Sequence, residues 1–164
     1  MPCDDYGTLV ICRPTITGLG EDLSVEDRLA YDNPQILRVP IKVSADHKSF
    51  YLPASCAQGT KLTLMQRDEV YIFDGVDRMM KRLVKDIDGR KPVAVFHADC
   101  MARGRHMFNR VLKDEIIAKI QHAISGEEVA PWLGVYGFGE YCPFGGKNRF
   151  QSYTTALLAA VRRS

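Results

Sequence analysis

The spacing of apolar residues changes along the chain and separates a strand-rich part from a part that alternates helices and strands. Residues 8–12 (TLVIC) form the first strand candidate, and the acidic, turn-rich stretch that follows has room for one short helix. Residues 31–66 alternate apolar and polar positions around the polar turn SADHKS, which is typical of half-buried strands. We therefore predict a small antiparallel meander there, with Pro40 at an edge or a bulge.

Two later segments change to the helical period of 3.6 residues. In residues 74–89 the apolar side chains recur at helical spacing, and Asp74 and Gly89 fit the positions of N-terminal and C-terminal caps. Residues 101–124 repeat this pattern and predict a second helix. Further apolar runs predict three strands, at residues 92–98, 132–140 and 152–161. The runs at 92–98 and 152–161 are apolar enough to predict central strands, the first of them buried on both faces.

This order of elements predicts an α+β fold: a mixed, largely antiparallel sheet with two main helices packed on it. Residues 1–30 are expected to form an N-terminal strand and an acidic loop. Residues 31–164 are expected to form one compact domain, since 164 residues is the usual size of a single domain.

Composition narrows the classes of function. A net charge of +2 gives no strong field for nucleic acid or an anionic membrane, and no apolar run approaches the ~20 residues of a membrane span. The five cysteines are odd in number and widely spaced, without a CxxC pair, so we expect neither structural zinc nor a disulfide framework. Scattered thiols and an N-terminus unlike a signal peptide indicate a cytoplasmic protein. We expect no metal and no cofactor.

The segment FHADCMARGRHM contains one candidate for chemistry. If a helix begins directly after the strand, Asp99 fits its N-cap, and Cys100 lies in the first turn, where the helix dipole lowers a thiol pKa. Arg103 would lower it further. One interpretation is a reactive or anion-binding corner, and the other is a small buried cysteine beside solvated arginines, which we favour for the thiol itself. His97 is close in sequence, but its spacing from Cys100 matches no known Cys–His arrangement.

A second candidate is the glycine-rich stretch WLGVYGFGEYCPFGG. Its order G-x-x-G-x-G reverses the dinucleotide-binding fingerprint and no helix can follow promptly, which argues against a nucleotide cradle. If the strand continues, alternation separates a bare glycine face from a face of aromatic rings and one carboxylate. That composition suits the wall of a small-molecule site, and equally a glycine face packed under a helix. The residues involved are Tyr136, Gly137, Phe138, Gly139 and Glu140.

These two segments together resemble the FIST C-terminal domain. Its pattern is an apolar strand that ends in a cysteine with an arginine three residues on, a helix with an acidic pair, a Gly-Phe-Tyr-x-x-Gly-Glu strand, and a last strand. The matching positions span about residues 34–161, although Gln151 replaces a histidine common in the family. They are Cys100, Arg103, Glu115, Gly134, Tyr136, Gly139, Glu140, Phe150 and Thr154.

The resemblance implies a non-enzymatic sensory domain of a signal transduction protein that binds a small ligand, for example an amino acid or a related small carboxylate. Cys100, Arg103, Tyr136, Gly137, Phe138, Gly139 and Glu140 would form its ligand-binding site, with Arg103 on an anionic group and Glu140 on an amine. A buried structural pair between Arg103 and Glu140 is the alternative for these two.

The resemblance also implies partners: an N-terminal FIST domain or a signalling output domain in a longer parent or a partner protein. A homodimer is a further expectation. Two other functions stay open at this point. One is a cysteine-dependent enzyme or redox sensor that uses Cys100, and the other is a protein-interaction adaptor, which a large exposed apolar patch would support.

Overall fold

The computed structural model describes residues 18–31, 33–66, 68–103 and 110–162, without the side chains of residues 110–113 and 144. The chain divides into two compact units, residues 1–67 with 141–152 and residues 68–140 with 153–164. The described part contains three helices and several mostly antiparallel sheets, which confirms the α+β class and the mixed sheet. None of the described helices is long and apolar enough to cross a membrane. The strand predicted at residues 8–12 lies outside the described residues.

The first unit is built on a three-stranded antiparallel sheet. Strand β1 (Gly18–Asp22) lies between β2 (Gln35–Arg38) and β5 (Leu62–Met65), and the short helix α1 (Val25–Tyr31) follows β1. The predicted short helix is therefore present, but among the described strands β2 and β5 both pair with β1, and β5 does not pair with the strand before it, β4, as the predicted meander requires. Residues 18–22, which the sequence assigned to a loop, form the strand β1 between β2 and β5. The local pattern did not reveal this strand because strand pairing depends on partners that are distant in sequence.

Two hairpins complete the first unit. Strands β3 (Lys42–Val43) and β4 (Phe50–Tyr51) pair around the predicted polar turn. Pro40 lies between β2 and β3, where it interrupts the run instead of occupying an edge. Strands β8 (Glu140–Phe144) and β9 (Lys147–Gln151) enclose a two-glycine turn in which both glycines have positive φ, the geometry that a tight hairpin needs.

The second unit carries the candidate site on a three-stranded sheet in the order β10-β6-β7. Strand β6 (Pro92–Cys100) lies in the centre, parallel to β7 (Trp132–Gly137) and antiparallel to β10 (Thr155–Val161). The central position of β6 is confirmed. The last strand was predicted to be central, and that prediction is wrong among the described strands, since β10 lies at the sheet edge. The strand β10 has apolar residues on both of its faces, and this explains its apolar sequence without a neighbouring strand on each side.

One face of this sheet packs against two helices. Helix α2 (Glu69–Ile87) and helix α3 (Arg110–Ser125) contribute most of the buried core, with Val95 beneath them. The core side chains are Val76, Met80, Ile87, Val95, Ile116, Ile120, Ile124 and Ala130. The opposite face of the sheet stays exposed, with Phe96 at its centre. The prediction that residues 92–98 are buried on both faces is therefore wrong for one of the two faces.

The ends of the helices differ from the predicted caps. Helix α2 begins earlier, with Asp68 as its N-cap: the carboxylate accepts a hydrogen bond of 3.3 Å from the Tyr71 N–H. It ends at Asp88 and Gly89, both with positive φ, as the predicted glycine stop requires. The second predicted helix does not start directly after the strand, because residues 101–103 form a turn.

Candidate functional site

The candidate site lies where the parallel strands β6 and β7 end side by side. Asp99 is opposite Tyr136 and Cys100 is opposite Gly137. The Met101 N–H then donates to the Gly137 carbonyl over 2.8 Å, which holds the two strand ends together. Ligand sites in α/β sheets favour the carboxyl ends of parallel strands, since side chains from neighbouring strands converge there. We call the cluster of Asp99, Arg103, Glu140 and Thr154 at this edge the acidic corner.

Cys100 is the last residue of β6 and not the first turn of a helix. Its N–H donates to the Thr154 carbonyl at 2.9 Å, so this N–H is engaged within the sheet. Burial, and next the negative charge of Glu140, raise the pKa of the Cys100 thiol above its ordinary value. The predictions of an N-cap at Asp99 and of helix-dipole activation at Cys100 are wrong, because the chain stays extended through Cys100.

A tight turn brings Arg103 back onto Asp99. The Arg103 N–H donates to the Cys100 carbonyl at 3.0 Å, and the Arg103 Nη1 donates to the Asp99 Oδ1 at 3.2 Å. Both side chains are buried, with 7% of Arg103 and 10% of Asp99 exposed. Two buried opposite charges at this distance stabilise each other, and each would be costly without its partner. The structure therefore pairs Arg103 with Asp99, whereas the structural alternative drawn from the sequence was a pair with Glu140.

Glu140 is the most unusual group of the acidic corner. It is 3% exposed, and its Oε2 accepts a hydrogen bond of 2.8 Å from the Thr154 hydroxyl. Its Oε1 is buried and has no hydrogen-bond partner among the described residues. Burial raises the pKa of Glu140, the Thr154 hydrogen bonds lower it, and smaller contributions from Asp99, which raises it, and Arg103, which lowers it, leave this pKa at about 7. A buried carboxylate oxygen without a donor is uncommon and marks a place where a ligand group would be stabilised.

Gly137 leaves room beside that oxygen. A Cβ at this position would lie 3.6 Å from the Glu140 Oε1 and 3.3 Å from the Gly139 carbonyl oxygen. A larger residue would press against the carboxylate and the Gly139 carbonyl, so glycine at this position lets the end of β7 lie close to Glu140. Gly139 lies in the bend between β7 and β8, and its backbone carbonyl forms part of the same wall.

The aromatic residues of the predicted site separate. Tyr136 is partly buried opposite Asp99, whereas Phe138 lies in the bend and is 85% exposed. Sequence analysis placed Tyr136, Phe138 and Glu140 on one face of a continuous strand, and this is wrong because the chain bends at residues 138–139 before Glu140 begins a new strand. The bend turns Phe138 outwards and buries Glu140.

His97 lies on the face of β6 that packs towards the helices, the same face as Asp99. Its Nε2 lies 2.6 Å from the Thr155 hydroxyl, and its ring meets the edge of Trp132 with the centroids 5.9 Å apart. Burial lowers the pKa of His97 despite the opposing charge of Asp99. Alternation along β6 places His97 and Cys100 on opposite faces, so the two side chains do not form a catalytic pair.

The buried, neutral thiol leads to a labelling prediction. At pH 7 we expect iodoacetamide to modify Cys56, which is partly exposed, at least about tenfold faster than Cys100, because the thiolate is the reactive form. Peptide mass spectrometry of timed samples measures both rates in one protein. Labelling of Cys100 that is already fast at pH 6 would contradict this expectation and restore a cysteine-dependent activity.

Among the described residues, no group of three or more His, Cys, Asp or Glu side chains has the arrangement of a metal site. Of the other residues that carry the predicted pattern, Glu115 is exposed on α3, and the Phe150 ring packs edge-on against Tyr141 at 5.4 Å between centroids. Sequence analysis missed the roles of Asp99 and Thr154. Asp99 falls at an inward position of β6, and a buried acid next to an arginine four residues on is the signal that could have revealed the pair.

Comparison with known families gives one assignment. The FIST C domain model matches residues 17–143, which is more than half of the chain. FIST C domains are sensory and signal-transduction domains, and they usually sit in multidomain signalling proteins. No curated protein and no solved structure gives a significant match to the chain.

Proposed function

Because the chain belongs to the FIST C domain family, we propose that it is a sensory domain that binds a small ligand with an amino group and a carboxylate at the acidic corner. An amino acid is the smallest molecule of this kind. The observation that carries the proposal is the Glu140 Oε1, which is buried and receives no hydrogen bond from the part of the chain that the structure describes. A ligand ammonium would supply the missing hydrogen bonds and a compensating charge.

The second half of such a ligand would meet Arg103. A guanidinium has five N–H donors in a planar fork, so one group can hold a neighbouring carboxylate and also bind a carboxylate of the ligand. The Arg103 Nη1 already holds Asp99, which fixes the orientation of the fork. Glu140 and Arg103 would thus select opposite ends of the ligand, and Gly137, Gly139 and Tyr136 would line the space between them. Phe138 would contact a ligand only at the outer rim.

Binding of an ammonium should depend on pH in a defined direction. With the pKa of Glu140 at about 7, much of this carboxyl is protonated in the free protein at pH 6, and it must ionise to hold a cation. We therefore expect affinity for an amino acid to rise between pH 6 and pH 8, with release of a proton on binding near pH 7. Calorimetric titrations in two buffers of different ionisation enthalpy measure that proton.

The test compares amino acids, primary amines without a carboxylate, and small carboxylates without an amine, first by thermal shift and then by calorimetry. Glu140→Gln keeps the shape but removes the charge, and we expect it to weaken binding by about tenfold or more. Glu128→Gln is the control, since the Glu128 side chain is 91% exposed on the same unit. Arg103→Ala is unsuitable because it also leaves Asp99 unpaired.

Two outcomes would refute the proposal. One is that no member of the panel raises the melting temperature of the wild-type chain. The other is that Glu140→Gln binds as tightly as the wild type and the Glu128→Gln control. If binding passes these tests, the signal would be transmitted to an N-terminal FIST domain or an output domain, and a cytoplasmic location would suit such a sensor.

A further inference from the structure

Thr154 holds one of the two oxygens of the Glu140 carboxyl group. The Thr154 hydroxyl donates to the Glu140 Oε2 over 2.8 Å, whereas the Oε1 receives no hydrogen bond from the described residues. Glu140 is 3% exposed, so bulk water does not even out this difference. The two oxygens of one carboxyl group therefore have different surroundings, and the Thr154 hydroxyl is the cause.

The main chain around Thr154 is fixed on both sides of the residue. Its carbonyl accepts a hydrogen bond of 2.9 Å from the Cys100 N–H, which ties it to the end of β6. The residue before it, Tyr153, is 8% exposed and has a φ of 59°, a left-handed conformation that is rare for a bulky side chain. Such conformations persist only where the surrounding structure enforces them, and they cluster at functional sites. The fold thus holds Tyr153 in an unfavourable conformation directly before the residue that contacts Glu140.

The threonine side chain also restricts where the hydroxyl points. Its branched Cβ limits rotation about χ1, so a hydroxyl on a fixed main chain has few directions available. A hydroxyl has one proton to donate, and Thr154 donates it to the Glu140 Oε2. The next residue provides a contrast, because the Thr155 hydroxyl lies 2.6 Å from the His97 Nε2. The two neighbouring threonines therefore serve different partners.

We propose that Thr154 is a positioning residue for ligand binding: its hydroxyl holds the Glu140 Oε2 and so presents the Oε1 as the oxygen that receives the ligand ammonium group. The inference rests on the proposed function, since it gives Thr154 a part in the same site. Thr154 acts through Glu140 and not through a contact of its own with the ligand. An ammonium group that reaches Oε1 then meets a carboxyl group whose orientation is already set, which reduces the ordering that binding requires.

The same arrangement makes a proton and the ligand compete for one oxygen. Because the Oε2 already accepts the Thr154 hydroxyl, the proton that Glu140 takes up below about pH 7 is carried by Oε1. Among the described residues, the charged and titratable groups that face Glu140 are Asp99, Arg103 and the Cys100 thiol. Burial raises the pKa of Glu140, and the Thr154 hydrogen bonds are the largest contribution that lowers it, since they favour the ionised form. Thr154 therefore keeps Oε1 available to an ammonium group at a lower pH than burial alone would allow.

The first test follows the ionisation of Glu140 in the full chain without any ligand. Carbon-13 NMR of protein labelled in its glutamate carboxyl groups gives the midpoint of each titration, and the signal missing from Glu140→Gln identifies Glu140. Thr154→Val keeps the shape of the side chain but removes the hydroxyl, and we expect it to raise the Glu140 midpoint by about one pH unit. Thr154→Ser retains a hydroxyl and should restore the wild-type midpoint. Thr155→Val is the matched control, because the Thr155 hydroxyl lies against His97, and it should leave the Glu140 midpoint unchanged.

The second test measures, by calorimetry, binding of the amino acid that raises the melting temperature of the wild type most. With the pKa of Glu140 at about 7 in the wild type, an upward shift of one unit lowers its ionised fraction at pH 7 from about a half to about a tenth. Thr154→Val should therefore bind about fivefold more weakly than the wild type at pH 7. At pH 9 both proteins are largely ionised, so the difference should shrink. A role of Thr154 in packing alone would instead weaken binding equally at both pH values.

Circular dichroism establishes that each variant is folded, and Thr154→Ala is a second variant without the hydroxyl if Thr154→Val unfolds. The positioning role is overturned if the Glu140 midpoint is the same with and without the Thr154 hydroxyl, or if Thr155→Val shifts it as much. Equal affinity of the wild type and Thr154→Val at pH 7 also overturns it. Failure of the proposed function gives a different result: the wild type itself binds no amino acid, whatever the midpoints of the variants, and the positioning role falls with it.

Discussion

Replacing Asp99 with alanine is expected to lower the free energy of unfolding by about 3–5 kcal/mol, because it leaves the Arg103 guanidinium buried without its partner. Arg103 is 6% exposed as a residue, so water cannot replace the lost carboxylate. Urea unfolding followed by circular dichroism measures the change. Asp99→Asn keeps an acceptor for the Arg103 Nη1 and should cost less than Asp99→Ala.

The same unit contains a matched control for this prediction. Lys91 and Glu128 form an ion pair at 3.8 Å, but 87% and 91% of the two side chains are exposed. Glu128→Ala should therefore change stability by less than about 1 kcal/mol. The double variant Asp99→Leu with Arg103→Met removes both buried charges and should be more stable than Asp99→Ala alone. If Asp99→Ala and Glu128→Ala lowered the free energy of unfolding by equal, small amounts, burial would not strengthen the ion pair of Asp99 and Arg103.

The second large effect concerns Glu140 and pH. Burial raises the pKa of Glu140 from 4.5 to about 7, so between these two values the folded chain holds a proton that the unfolded chain has released. Stability contributed by this proton is fully present below pH 4.5 and is lost as the pH rises through about 7. We expect the ionised carboxylate to cost on the order of 2–3 kcal/mol at pH 8.

Glu140→Gln removes that cost. The variant should be less sensitive to pH between 5 and 8 than the wild type, and it should be the more stable of the two at pH 8. Burial lowers the pKa of His97, which changes stability with pH in the opposite direction. The difference between wild type and variant therefore isolates Glu140 in denaturant unfolding at several pH values. A variant that is less stable than the wild type at pH 8 would contradict the raised pKa.

These two predictions depend on one another through the acidic corner. Asp99 raises the pKa of Glu140 and Arg103 lowers it, so loss of either charge alters the carboxyl that we propose as the ligand contact. A stability change in Asp99→Ala without loss of ligand affinity would mean that the buried pair only supports the strand ends. A change in both would mean that it also sets the charge state of Glu140.

The helices and the central strand β6 could be predicted from the sequence because the spacing of apolar residues within each element indicates which of its positions are buried. Val76, Met80 and Ile87 recur at helical spacing, and all three lie in the core. The continuous apolar run of β6 likewise predicted the central strand. Caps were less predictable: several acidic residues precede the first apolar turn of α2, and only the folded backbone selects Asp68 among them.

The acidic corner was only half predictable. The residues Cys100, Arg103 and Glu140 stand out in the sequence, and the structure does bring them to the ends of β6, β7 and β8. Their partners could not be assigned, because a bend at residues 138–139 and a turn at residues 101–103 decide which carboxylate meets the guanidinium. Such bends break the alternation of side chains along a strand, so the face occupied by the residues after the bend does not follow from the residues before it.

By itself, the sequence determined the α+β class, the family, the central position of β6, and Arg103 and Glu140 as residues of the candidate site. These properties depend on local periodicity and on residue type, which the chain carries wherever it folds. Only the tertiary structure decided that Arg103 pairs with Asp99, that one oxygen of Glu140 is buried with no donor among the described residues, and that Phe96, opposite the helices, is 42% exposed. Those properties depend on which distant segments of the chain come into contact. The burial and the charged neighbours of each side chain are therefore set by residues that are far apart in sequence.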